Sequence, residues 1–341
     1  MAIIKQINSD FIVNEVSLEP FDLSDDHSGK SFTILELQKE GLTSFESMHL
    51  LAKQLDIATP QVVCQGLKDE DGITTQLISI KKILHADDAK IISQSGRVSN
   101  HRWFGIKVAG YSALPLRERC LHGNVFTIKI RDLSRAELNR LSDSIIRWKT
   151  FTYLNYYDSQ RFGLPGKPHL THEMGEAIIQ KDYKKAFEIY IKSGNSKDTT
   201  KNVFETREID SRQVNFFIAS HYSYAWNKTL SEYIKSDTSI EIFPDYNLPI
   251  SEQSPVPPML TIDCLRMNQD WNLLKDQKSR ETINTTSIYI VDFGEDDLNR
   301  GKYFLQINFM LMTGSYATMM LKQLLQKAGI KTVEIGVGDA A

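Results

Sequence analysis

At 341 residues, with 41% apolar and 24% charged residues, the chain has a soluble globular composition and room for one large or two medium domains. No apolar run approaches the roughly 20 residues that span a bilayer, and the N-terminal MAIIKQINSDFIVNE lacks the long apolar stretch of a signal peptide. Cys64, Cys120 and Cys264 are odd in number, widely spaced and without a CxxC pair, which argues against a disulfide framework or a thiolate zinc site and fits a reducing cytoplasm. A net charge of −3 does not point to nucleic acid. Residues 97–149, however, carry eleven Lys/Arg against four Asp/Glu, a basic stretch that suits a phosphate-binding face or an ordinary solvated surface.

In chain order, DFIVNEVS at 10–17 alternates as a strand, with Phe11, Val13 and Glu15 on one face, and SFTILEL at 31–37 is its expected partner. Thr43 and Glu46 form a capping box that opens a helix. Short β-rich runs follow at 61–64, 74–80, 103–110 and 124–131. Ser134 and Glu137 form a second capping box, with a helix to about Trp148. The first 150 residues therefore read as α+β with a largely antiparallel sheet. From Tyr156 to Ile290 the pattern turns mostly helical, with loops at SGNSKDTTKN and PDYNLPISEQSPVPP. A strand at 302–312 and a helix from Ser315 to about Lys327 close the chain. Strands, a helical block, then strand and helix suggest an insertion into one sheet.

Several motifs carry little. HLTHE places His169 and His172 three apart, without the HExxH order or an evident third ligand. Asp69, Asp71 and Gly72 resemble the start of a calcium loop, but the later ligand positions are wrong. The terminal GVGDAA lacks the strand–turn–helix context of a dinucleotide fingerprint. GLKDEDGITTQ at 66–76 sets Lys68, Asp69, Glu70 and Asp71 in a turn between two apolar β-runs, and on spacing alone it is a charged turn.

That run nevertheless resembles the catalytic motif of the TruD family of tRNA pseudouridine synthases, matching at Gly66, Lys68, Asp69, Ile73, Thr74 and Gln76. Other pieces follow in family order: DFIVNE at 10–15, LQKEG at 37–41, HGNVFTIKIR at 122–131, NYYDSQRFG at 155–163, SYAWN at 223–227 and GSYAT at 314–318. The resemblance implies a pseudouridine-synthase-type α+β fold, a largely antiparallel sheet flanked by helices. It divides the chain into a catalytic domain of residues 1–155 and 291–341, interrupted by a mostly helical insertion at 156–290. It makes Asp69 the nucleophile and Phe11, Asn124, Phe126 and Tyr316 the substrate-binding residues, with Lys68, Arg131 and Arg161 in supporting places.

On strand 124–131, Asn124 and Phe126 share one face and Lys129 and Arg131 the other. Lys68 is adjacent to Asp69, but neighbours on an extended chain point apart, so a basic residue from another strand is an equal candidate for the cation beside Asp69. The implied reaction needs no metal or other cofactor. The implied substrate is uridine at position 13 of a tRNA, with no membrane partner and a monomeric enzyme. Two alternatives stay open: the same chemistry on another RNA, and a weakly active tRNA-binding or RNA-chaperone protein.

Overall fold

The computed structural model describes residues 1–17, 25–116, 121–163, 168–195, 198–234 and 257–334. Arg117 and Arg119 of the basic stretch, Cys120, most of the proline-rich loop at 244–258 and the terminal GVGDAA lie outside them.

The elements in order are β1 (Ala2–Ile4), β2 (Phe11–Ser17), β3 (Phe32–Glu40), α1 (Ser44–Leu55), β4 (Val62–Cys64), β5 (Ile73–Ile80), α2 (Ala86–Ser95), β6 (Arg97–Ser99), β7 (Arg102–Ser112), β8 (Leu121–Leu133) and α3 (Arg135–Trp148). There follow β9 (Thr150–Leu154), α4 (Thr171–Ile179), α5 (Tyr183–Lys192), α6 (Ser211–Ile234), β10 (Met259–Met267), β11 (Leu273–Glu281), β12 (Ile283–Glu295), β13 (Tyr303–Met312), α7 (Ala317–Lys327) and β14 (Thr332–Glu334). Both capping boxes form. Thr43 Oγ1 accepts from Glu46 N at 3.1 Å, and Ser134 Oγ accepts from Glu137 N at 3.3 Å.

Contacts divide the chain into two compact units. The first is Met1–Phe151, Thr286–Gly314 and Ala328–Ala341; the second is Thr152–Thr285 and Ser315–Lys327.

In the first unit the strands run β6-β7-β3-β5-β2-β8-β13-β12. Most neighbours are antiparallel, but β2 pairs with β5 in parallel, Ile12 opposite Ile73 and Asn14 opposite Thr75. β3 is therefore not the partner of β2. β5 lies between them, pairing β3 antiparallel on its other side. A parallel pair needs a long crossover, and β3 and α1 supply it. Helix α1 buries Met48, Leu51 and Leu55 in a core with Leu35, Leu37, Ile78, Ile80, Phe104 and Ile106.

At the far end of β8 a bulge near Asp132 (φ 56°) brings Arg131 into the interior. Its guanidinium donates to Asp10 at 2.8 Å and to Asp296 and Asp297 at 2.7 Å each. Burial opposes the charge, but these carboxylates outweigh it and hold Arg131 above its ordinary range. The Lys129 ammonium lies 4.3 Å over the Phe304 ring.

The second unit holds helices α4, α5 and α6 between Thr171 and Ile234. α4, α5 and α6 bury Met174, Ile178, Tyr190, Val214, Phe217 and Ile218. The expectation of helix up to residue 290 fails beyond this block. Residues 259–281 form the antiparallel hairpin β10–β11, with Met259 opposite Glu281 and Met267 opposite Leu273. Its second strand, LLKDQKSRE, is polar after its first two residues and offers no apolar periodicity of either kind. α7 belongs to this unit because Met319 packs with Leu154, Tyr156, Phe162 and Trp226.

Replacing Arg131 by Met strands the buried carboxylates of Asp10 and Asp296 without their cation. We expect a loss of about 3–5 kcal/mol in urea unfolding; a loss under about 1 kcal/mol would show that the three-carboxylate junction does not hold this edge.

Candidate active site

The register of the central strands brings a set of side chains to one face. Lys39 on β3 is opposite Thr74 on β5, Thr74 opposite Val13 on β2, Val13 opposite Phe126 on β8, and Phe126 opposite Phe309 on β13. Directly opposed residues share a face, so these five form one row. Two residues further along the same face, Glu15 is opposite Asn124, and Asn124 opposite Leu311. The aromatic part is close-packed. Phe126 stacks on Phe309 with centroids 5.3 Å apart and meets Phe11 edge-on at 6.0 Å. All three rings are buried, so they form a floor rather than an open platform.

The segment 65–72 joins β4 to β5 on this face, and backbone and side chains pin it at several points. Ser44, at the start of α1, accepts from Lys68 N at 2.9 Å and donates to Gln76 Oε1 at 3.1 Å; Gln76 Nε2 donates to Gly66 O at 3.3 Å. Gly72 is required by close approach. A Cβ there would lie 2.5 Å from the carbonyl oxygen of Phe11.

Asp69 stands in this segment, its side chain 36% exposed. Lys5 Nζ lies 3.3 Å from Asp69 Oδ2 and 4.1 Å over the Phe11 ring, within a site where it is itself buried. Lys5 holds φ at 61°, a conformation that costs a non-glycine residue roughly 1–2 kcal/mol. A second buried lysine serves the main chain of the same residue: Lys39 Nζ donates to Asp69 O at 2.5 Å. Burial pushes Lys39 down from 10.5 to about 8, against the opposing pull of Asp69 and Glu70. Such a group burdens the fold while charged. The penalty is full below about pH 8 and fades as pH rises toward 10.5, where the unfolded chain's lysine also deprotonates.

The expected site residues separate into groups. Phe11, Asn124 and Phe126 stand on the face described, around the segment that carries Asp69. Asn124 Oδ1 is buried and without a hydrogen-bond partner among the described residues. Lys68 turns away from Asp69 and forms a buried ion pair with Glu15 at 2.7 Å, while Glu15 Oε1 accepts from Leu77 N at 3.2 Å. Arg131 is occupied by Asp10, Asp296 and Asp297. Lys5, Lys39 and Glu15 were not singled out from sequence. Two of them had a signal. Glu15 continues the buried parity of Phe11 and Val13, and Lys39 that of Leu35 and Leu37, so each is a charge placed where the alternation asks for an apolar residue. Lys5 lies beyond a three-residue strand and had none.

Tyr316 and Arg161 belong to the second unit. Tyr316 meets Tyr157 edge-on at 6.1 Å; burial pushes its phenol up, against the pull of Arg161 and Arg280. Arg161 Nε donates to Ser223 Oγ at 3.2 Å, and its guanidinium lies 4.9 Å from the Phe216 ring centre. The surrounding motifs act as staples there. Asn227 of SYAWN exchanges hydrogen bonds with the Tyr157 backbone at 2.9 and 3.0 Å. Buried Asp158 accepts from the Thr318 hydroxyl and from Lys322 Nζ, the latter at 3.0 Å.

Comparison with known proteins gives a consistent result. The family model described as tRNA pseudouridine synthase D (TruD) matches residues 1–215. The chain is 26% identical, over 94% of its own length and 98% of the relative's, to "Probable tRNA pseudouridine synthase D 1" of Methanococcus maripaludis. It is 24% identical, over 96% of its length and 97% of the relative's, to the tRNA pseudouridine synthase D of Leptospira interrogans serogroup Icterohaemorrhagiae serovar copenhageni. A crystal structure from Methanosarcina mazei, assigned as a tRNA pseudouridine synthase D, superimposes with a TM-score of 0.59 over 95% of this chain and 93% of that one; at 19% identity this is a likeness of fold.

The approach at Gly72 yields a direct test. Gly72→Ala must displace the start of β2 or the segment carrying Asp69, and we expect a loss of about 1–3 kcal/mol in denaturant unfolding. A variant as stable as the parent would mean that the close approach is not a constraint.

Proposed function

The chain belongs to the TruD family of tRNA pseudouridine synthases, and from that premise we propose that Asp69 is the nucleophile that converts uridine to pseudouridine in tRNA, at position 13. The observation that carries the proposal is the half-open Asp69 carboxylate, 3.3 Å from the Lys5 ammonium. The reaction breaks the N1–C1′ bond, turns the base and forms a C5–C1′ bond. N1 gains a proton and C5 loses one, so atoms and charge balance without a redox partner. Asp69 serves either by attack on the sugar or by removing a sugar proton. Both routes need a carboxylate, and the adjacent Lys5 ammonium complements its charge.

The other residues fit around it. Asn124 offers a buried carbonyl oxygen, unpartnered among the described residues, that can accept from the N3–H of uracil, which cytosine lacks. Leaving such an acceptor unpaired costs about 1–3 kcal/mol, and uracil would remove that cost. Phe126, backed by Phe309, forms the apolar floor beneath a base turned out of the tRNA stack. Phe11 orients the Lys5 ammonium through its ring face. In this reading Lys5 takes the cationic role beside Asp69, Lys68 holds Glu15, and Arg131 supports the fold. Arg161 of the insertion and Tyr316, the residue before α7, are further proposed tRNA contacts. The catalytic domain is residues 1–155 with 291–341, and the insertion is residues 156–290.

The proposal is tested by tritium release from tRNA labelled at uracil C5. Wild type should release label, and Asp69→Asn should fall to background while still binding tRNA. Lys5→Met should slow release by roughly a hundredfold, as the loss of a charge-stabilising group typically does. Equal release from wild type and Asp69→Asn would overturn the assignment.

A further inference from the structure

We infer that Lys39 is a positioning residue for this reaction: through its bond to the Asp69 carbonyl, the protonated Lys39 ammonium fixes the peptide that carries the nucleophile. The inference rests on Asp69 being that nucleophile.

The geometry supports it in three steps. Lys39 is fully buried near the end of β3, between Thr74 on β5 and Phe104 on β7. The preceding alternation, Leu35 and Leu37, would place an apolar side chain there at no electrostatic cost. The charge is therefore held against its burial, and its contact is with a backbone oxygen rather than a carboxylate.

Lys5 engages the carboxylate of Asp69 while Lys39 engages its carbonyl, so the residue is held at both ends. The preceding residue is also tied, through Lys68 N to Ser44 Oγ. With main chain and side chain both fixed, the carboxylate has little freedom to swing from its line of attack. Displacements of about 1 Å in such a group commonly cost a hundredfold in rate.

The ionic form matters because charge-assisted hydrogen bonds are roughly twice as strong as neutral ones. The charged groups facing Lys39 are Asp69, Glu70 and Lys68 from the segment after β4, Glu46 from α1, and Lys5 beyond Asp69. Burial outweighs the carboxylates among them, so Lys39 loses its proton near pH 8. The hold on the Asp69 peptide consequently weakens above that pH.

The test is the single-turnover rate of tritium release at saturating tRNA, between about pH 6.5 and 9.5, for wild type, Lys39→Met, Lys39→Arg and Asp69→Asn. Wild type should show an alkaline limb near pH 8. Lys39→Met should lose about a hundredfold in rate, with its tRNA Kd within about threefold of wild type, and should lack the limb. Lys39→Arg stays charged throughout and should also lack it, which separates the limb from titration of the substrate's own N3–H.

A purely structural role would lower the rate equally at every pH and leave the limb in place; that result would overturn the inference. So would Lys39→Met within about threefold of the wild-type rate at neutral pH, or a wild-type profile with no alkaline limb. If one variant fails to fold, the limb in the other decides. Asp69→Asn inactive beside a fully active Lys39→Met removes Lys39 alone, whereas an active Asp69→Asn removes the nucleophile assignment beneath it.

Discussion

Catalysis by a carboxylate needs the ionised group close to an apolar surface on which a base can lie, and those demands conflict. Placing a carboxylate against an apolar floor is costly unless a cation or hydrogen-bond donor stays beside it. Here the conflict is met by segregation. Asp69 keeps 36% of its side chain exposed, and the buried Lys5 ammonium approaches it from over the ring of Phe11. The cation thus shares the apolar floor while the carboxylate faces outward. Glu15 and Lys68 neutralise each other beside it, so that buried pair is compensated rather than stranded.

The topology of the sheet makes this arrangement possible. Parallel pairing of β2 and β5 lets the segment before β5 pass the start of β2, where Phe11 lies, and Gly72 allows the approach. The crossover through β3 and α1 returns Lys39 and Ser44 to the same segment. Phe126 and Asn124 arrive from β8 in register with Val13 and Glu15. A slip of one residue between β2 and β8 would turn Phe126 and Asn124 to the opposite face. The buried, periodic strands that fix the register therefore fix the site.

Much of this was legible in the residues. Period-2 runs located the central strands, and the two capping boxes located α1 and α3, because both signals are local. Strand order was not local: the expected neighbour of β2 was β3, and β5 intervened. The hairpin at 259–281 escaped because its second strand is largely solvated and carries no apolar period. The run GLKDEDGITTQ was read as a charged turn until its companions along the chain gave Asp69 a context. Asn124 and Phe126 were placed on a common face correctly, from alternation alone. Lys39 and Glu15 were visible in principle as charges on a buried parity, while Lys5 depended on a single backbone φ of 61° that no pattern encodes. Three family-like runs, NYYDSQRFG, SYAWN and GSYAT, supply hydrogen bonds that hold the second unit together; recurrence of a motif does not separate chemistry from architecture.

The central claim concerns one carboxylate and one product, so the most direct measurement maps the product at base resolution. Unmodified tRNA is incubated with wild type or with Asp69→Asn, derivatised with carbodiimide and read by reverse transcription. The account predicts a new stop at a single uridine, at position 13, with wild type and none with Asp69→Asn, although both proteins bind the tRNA. The same stop from both proteins would contradict it.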